Sequence, residues 1–131
     1  MTIIENSARH KFALPGLEHQ TLASSADQLK HLEMWIQTMA PGGETPIHYH
    51  ECEQVIVVLK GSGRLTMGEK TSNFGPGTTL VILPKVIHHM INTGADEMIL
   101  IIGSSETPAR VFAPDGTPIA SPWQANYVDS R

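Results

Sequence analysis

An all-β sandwich or barrel is predicted by three observations. Short apolar runs recur about every ten residues, the spacing of strands joined by tight turns. Gly and Pro, eleven and nine among 131 residues, are spread through the chain and punctuate those runs. Val, Ile, Thr and aromatic side chains fill the runs, and these pack well on a pleated surface.

Taken in order, residues 1–30 read as an N-terminal arm with one edge strand, and Ser24 or Ser25 is placed to cap a short helix over residues 24–32. Barrel strands are predicted at 32–39 (LEMWIQTM), 53–61 (EQVIVVLKG), 63–68 (GRLTMG), 78–84 (TTLVILP), 87–92 (IHHMIN) and 97–103 (EMILIIG), with a weaker run at 109–113 (ARVFA). The turns between them are APGGETP, KGSG, NFGPG, NTGAD and APDG. The domain plan is therefore an arm over 1–30, a barrel over 31–113 and an irregular tail over 114–131 that packs on the barrel. No internal repeat is visible.

Composition narrows the function classes. The chain is long enough for one domain with its own core. Its net charge of -4 and scattered Lys and Arg residues argue against a nucleic-acid surface. The longest apolar runs, VIVVL and MILIIG, are far too short for a membrane helix. Cys52 is the single cysteine, so no intramolecular disulfide forms. The N-terminus lacks the apolar run of a signal peptide, and no N-x-[ST] acceptor occurs. A cytoplasmic location is the expectation.

The chemistry concentrates in GGETPIHYHECEQ, residues 42–54. Side chains alternate faces along extended chain, so His48, His50, Cys52, Gln54, Ile56 and Val58 share one face. Glu51 and Glu53 point the other way. In GPGTTLVILPKVIHHMIN only one of the adjacent pair His88 and His89 can join His48 and His50, and His88 has Met90 and Asn92 on its face. His89 is then a surface or interface residue, Lys85 faces solvent, and Cys52 is a small buried filler. The opposite run, Val55, Val57 and Leu59, is apolar as well. That face needs a cover, and a second copy of the chain is a reasonable occupant.

Two motifs carry a resemblance. Gly42, His48, His50, Gln54 and Gly61 stand at the spacing of the first cupin motif, with Gln where Glu is usual. Gly77, Leu83, Lys85, His88 and Asn92 stand at the spacing of the second, with Leu83 in place of Pro and Lys85 in place of Gly. Both match in register. Within the cupins the chain resembles the plant auxin-binding proteins over residues 17–68 and 88–113, in LEMWIQTMAPGGETPIHYHECEQVIVVLKGSG above all. The resemblance implies an all-β double-stranded β-helix, the cupin jelly-roll barrel. It implies a metal held by His48, His50, His88 and Gln54. It also implies a ligand pocket lined by Trp35, Gln37, Thr45, Pro46 and Ile56, with Trp123 folding over the mouth as an aromatic lid. The plant proteins carry secretion, glycosylation and disulfide signals that this sequence does not show, so a cytoplasmic, prokaryotic relative is the expectation.

Imidazole suits Zn, Cu, Fe or Ni. Zn is the ion the resemblance implies, and the ligand set also accepts Ni, Mn or Fe. Three neutral imidazoles and a neutral amide leave the full charge on one divalent ion per chain, which favours an anionic guest such as a small, aromatic or aliphatic carboxylate. The primary expectation is a binding module for such an acid, working as a homodimer with neither nucleic acid nor membrane as partner. A metal-dependent enzyme (dioxygenase, isomerase, lyase or decarboxylase) is the alternative. A structural or regulatory cupin is the third reading.

Overall fold

A computed structural model describes residues 2–123. The expectation of a tail through 114–131 falls partly outside them. Eleven strands are described: β1 (Lys11–Leu14), β2 (Leu17–Ala23), β3 (Glu33–Met39), β4 (Gln54–Lys60), β5 (Gly63–Met67), β6 (Lys70–Phe74), β7 (Thr79–Ile82), β8 (His88–Asn92), β9 (Met98–Ser104), β10 (Val111–Phe112) and β11 (Pro118–Ile119).

Six of them form one antiparallel sheet in the order β1-β2-β3-β9-β4-β7. Opposite it lies β6-β5-β8, and β10 pairs with β11. Residues 44–49 stitch these smaller pieces together. Glu44 bridges to Ile91, His48 to His88, and Tyr49 to Phe112. Non-consecutive neighbours such as β3-β9-β4 are what a jelly roll requires, because the chain crosses between its two sheets instead of returning beside itself. The fold is the all-β jelly-roll barrel that the cupin motifs imply.

The arm holds two strands where the sequence suggested one. β2 pairs with β3 through an irregularity between Thr21 and Ala23, and its buried residues are the polar His19 and Gln20, so it carries no apolar alternation to read. The expected helix over 24–32 is a single 3₁₀ turn, Ser25–Asp27. Ser24 caps it through a reciprocal box with Asp27, and Gln28 at φ +70° then ends it. Continuing would have buried little, since Leu29 and Leu32 face solvent.

The core fills the space between the sheets with Met39, Val58, Leu65, Ile82, Met98 and Leu100, each 4% exposed or less. Gly61 sits where the chain turns out of β4 at φ +91°. A Cβ there would lie 2.7 Å from the Met98 backbone, so the position tolerates no side chain.

Alternation survives even where the ladder breaks. From His48 to Val58 every even residue is buried, while Glu51, Glu53, Val55 and Val57 are exposed. Across the inner face of the large sheet this sets two rows. One runs Glu33, Ser104, Gln54, Ile82, and the next runs Trp35, Ile102, Ile56, Leu80.

Candidate metal centre and ligand cavity

Three histidines meet inside the barrel. His48 and His50 come from the stitched segment before β4, and His88 opens β8, where backbone bonds in both directions clamp it to His48. Ring centroids are 4.2 Å apart for His48 and His88, 4.9 Å for His48 and His50, and 5.7 Å for His50 and His88. Their ligand atoms all lie within 4.8 Å of one another, and all three residues are buried. No other cluster of His, Cys, Asp or Glu with this geometry occurs among the described residues.

Backbone carbonyls fix the tautomer of each ring. Nδ1 of His48 lies 2.7 Å from the Pro46 carbonyl, Nδ1 of His50 2.7 Å from that of Arg110, and Nδ1 of His88 2.9 Å from that of Val86. A carbonyl can only accept, so each Nδ1 carries the proton and donates it. Each Nε2 is left with a lone pair, which is the arrangement a ligating imidazole needs. Burial, together with the neighbouring His88, holds His48 down to about 3. Burial holds His50 down to about 4, and it lowers His88 as well. All three rings are therefore neutral near pH 7, and a divalent ion suits them.

The Arg110 carbonyl comes from a loop after β9, and the loop has its own anchor. Glu33, at the start of β3, is buried with its carboxylate Oε1 accepting from Thr107 Oγ1 at 3.0 Å and Oε2 from the Ala109 N–H at 3.4 Å. Burial raises its pKa and those two donors oppose the shift. On the outside, Arg110 pairs with Glu106 at 2.8 Å. The Arg110 carbonyl is thus held beside His50 from both faces of the loop.

Gln54 is beside the three histidines and lines the same inner pocket, with Trp35, Gln37, Thr45, Ile56, Met90 and Ile102. Its amide Nε2 donates to Ser104 Oγ at 2.9 Å. Above this pocket a cavity of about 140 Å³ opens, walled in part by Leu17, Pro46, Ile119 and Trp123. The six side chains predicted to line a pocket therefore sit around these two adjoining spaces. Trp123 lies flat on His19, ring centroids 3.8 Å apart and planes 5° apart. Thr45 is held by its hydroxyl, which accepts from the Met90 N–H at 3.0 Å.

The other candidates lie elsewhere. His89 is on the opposite face of β8, 3.4 Å from Glu44. Glu51 and Glu53 face solvent. Cys52 is buried, and burial pushes its thiol up, so it stays protonated. Lys85 is exposed at φ +66°, in the left-handed conformation that glycine would adopt without strain, while its N–H donates to the His50 carbonyl at 2.7 Å. Ser104 and His19 escaped the sequence reading. Ser104 shares parity with Met98, Leu100 and Ile102, which was a usable signal. For His19, inside an arm with no strand pattern, there was none.

A family model described as auxin binding protein matches residues 2–124. Auxin-binding protein 1 of Arabidopsis thaliana is 39% identical over 120 residues, which is 83% of this chain and 60% of that protein. Auxin-binding protein T85 of Nicotiana tabacum is 35% identical, over 86% of this chain and 66% of that one. The chain thus spans less than two thirds of the length of these relatives. Among solved structures, a polyketide cyclase from Streptomyces resistomycificus superposes with a TM-score of 0.72 at 22% identity, covering 82% of each chain. A cupin of the RmlC-like type from Shewanella frigidimarina gives 0.71 at 19%, covering 82% of this chain and 92% of that one. At such identities these two establish the fold alone.

Proposed function

The chain belongs to the auxin-binding protein family, and from that premise we propose that it captures a small organic carboxylate at a divalent ion held by His48, His50, His88 and Gln54. One observation carries the reading: three buried imidazoles, each locked by a backbone carbonyl at Nδ1, bring their ligand atoms within 4.8 Å of one another. When bound, such an ion supplies a Lewis-acidic positive charge at the floor of an apolar cavity. Zn suits three imidazoles and an open position, and it is the ion we expect.

The cavity selects size and polarity. At about 140 Å³ it is well below the 300 Å³ or more of drug-sized sites, so a compact ligand is required. Trp35, Pro46, Ile56, Ile119 and Trp123 offer apolar and aromatic contact, and Gln37 and Thr45 offer polar atoms at the edge. Trp123 acts as the lid by resting on His19. No Asp or Glu is among the described residues lining either space, so a proton carrier drawn from that lining would have to be a histidine not holding the ion. Capture therefore suits the site better than the decarboxylase, isomerase or lyase chemistry weighed from the sequence.

The outer face of the six-stranded sheet exposes Val55 (45%), Val57 (37%), Leu59 (51%) and Val81 (57%) side by side. We read this face as the contact between two copies of the chain.

Elemental analysis of the purified protein, followed by a thermal-shift screen with benzoate, phenylacetate and indole-3-acetate, tests the reading. About one divalent ion per chain is expected, with stabilisation by an aryl acid that disappears on chelation. His48→Ala should fold and lose the ion. An ion content unchanged by that substitution refutes the site.

A further inference from the structure

Gln54 is the one proposed ligand whose coordinating atom is not decided by its own chemistry. An imidazole with Nδ1 engaged has one nitrogen left. A carboxylate presents an oxygen whichever way it turns. A primary amide presents an oxygen one way and an NH₂ group the other, and an N–H directed at a cation repels it and offers no lone pair.

The fold supplies a holder. Gln54 on β4 and Ser104 on β9 are register partners, so their side chains stand side by side on the inner face. Both are buried, 3% and 2% exposed, and Gln54 Nε2 donates to Ser104 Oγ at 2.9 Å. The Ser104 hydroxyl has a second polar neighbour, the Cys52 sulfur. A hydroxyl oxygen carries two lone pairs, so it can accept the amide N–H whichever of Ser104 and the Cys52 thiol donates to the other. The opposite arrangement, Ser104 donating to the amide oxygen, would turn the NH₂ group toward three imidazoles.

We propose that Ser104 is the positioning residue that makes Gln54 an oxygen ligand, an inference that rests on the divalent-ion reading of the three histidines. It gives the buried Ser104 hydroxyl a task. It also accounts for a neutral Gln serving where a self-orienting Glu is usual.

The test is a cycle over residues 54 and 104. Zn²⁺ and Ni²⁺ affinities are measured by competition with a chromogenic chelator for the parent, Ser104→Ala, Gln54→Glu and the double variant. Far-ultraviolet circular dichroism without metal checks each fold. Ser104→Ala should weaken both ions by about 10- to 100-fold beside Gln54. In the Gln54→Glu background the same substitution should cost no more than about threefold, because a carboxylate needs no orienting. Equal losses in both backgrounds, or no loss beside Gln54, overturn the proposal. A parent chain that binds neither ion overturns the site reading instead, and this inference with it. Should Ser104→Ala fail to fold, the parent alone decides by NMR. A Gln54 side-chain N–H that exchanges slowly and shows a cross-peak to the Ser104 β-protons is expected, and a fast-exchanging one without that cross-peak overturns the assignment.

Discussion

Gln54→Glu is the sharpest perturbation of the proposed capture site, because it changes one charge and almost no shape. Gln54 is 3% exposed and borders the three histidines, so the new carboxylate would be poorly screened by salt. A guest carboxylate on the same ion would approach it to about 4 Å. At an effective dielectric of about 20, two like charges at that distance repel by about 4 kcal/mol, close to a 1,000-fold loss of affinity. Relaxation and residual water reduce this, so a loss of at least about tenfold is the working expectation. The ion itself responds with the opposite sign, since an anionic ligand attracts a dication that a neutral amide merely solvates. Without the ion, the buried carboxylate carries a desolvation cost of several kcal/mol and the variant should melt earlier than its parent. Two assays separate the effects: chelator competition for the ion, and titration calorimetry with benzoate or indole-3-acetate on the loaded protein. Tighter metal with weaker carboxylate is the expected pair. Carboxylate affinity that stays within about threefold of the parent refutes the idea that uncompensated charge draws the guest.

Other consequences follow from separate parts of the molecule. Val57→Asp places a charge in the middle of the exposed apolar face. It should give a monomer by sedimentation velocity at concentrations where the parent is a dimer, and a parent that is itself monomeric removes the dimer proposal. His19 is fully buried and held down to about 3 by burial, against about 6.5 in the unfolded chain. The unfolded state alone then takes up its proton below that value, so stability is lost as pH falls through 6.5 toward 3, by about 2–3 kcal/mol at pH 4.5. Urea midpoints of the metal-free protein should fall accordingly, and His19→Gln should make that fall shallower. A slope unchanged by the substitution contradicts the assignment. Lys85→Gly relieves a left-handed lysine and should raise the unfolding free energy by up to about 1 kcal/mol, net of the entropy glycine adds to the unfolded chain. A lower melting point would show that the lysine side chain contributes something its exposed position does not reveal.

How much of this was legible depended on which residues kept a period. The even-odd pattern of residues 48–58 placed His48, His50, Cys52 and Gln54 on one inner face, although regular pairing begins only at Gln54. Extended backbone alternates its side chains with or without ladder bonds, and that is why the inference held across the gap. The strand β6, KTSNF, left no trace because four of its five residues are exposed and none is deeply buried. It is a polar edge that exists because β5 pairs with it. β2 was hidden for the opposite reason, since what it buries is polar. The single turn at Ser25–Asp27 shows the limit of capping signals: Ser24 starts a helix as read, but no apolar stripe continues it.

The site adds a further lesson about where its precision comes from. His48 and His88 each donate Nδ1 to the carbonyl two residues earlier, Pro46 and Val86. For these two rings the lock is local, and any chain that places the segments correctly orients them. His50 differs. Its partner carbonyl, Arg110, is sixty residues away in sequence, and the loop bearing it is held by Glu33 through Thr107 and Ala109. Gln54 likewise depends on Ser104, fifty residues away. Half of the proposed coordination sphere is therefore oriented by neighbours that only the closed barrel brings near. A short motif can announce that a barrel of this kind has ligands, because the ligands and two of their locks are local. Their readiness for an ion is a property of the assembled sheets, in which β9 and the loop that follows it bring in the two remaining partners.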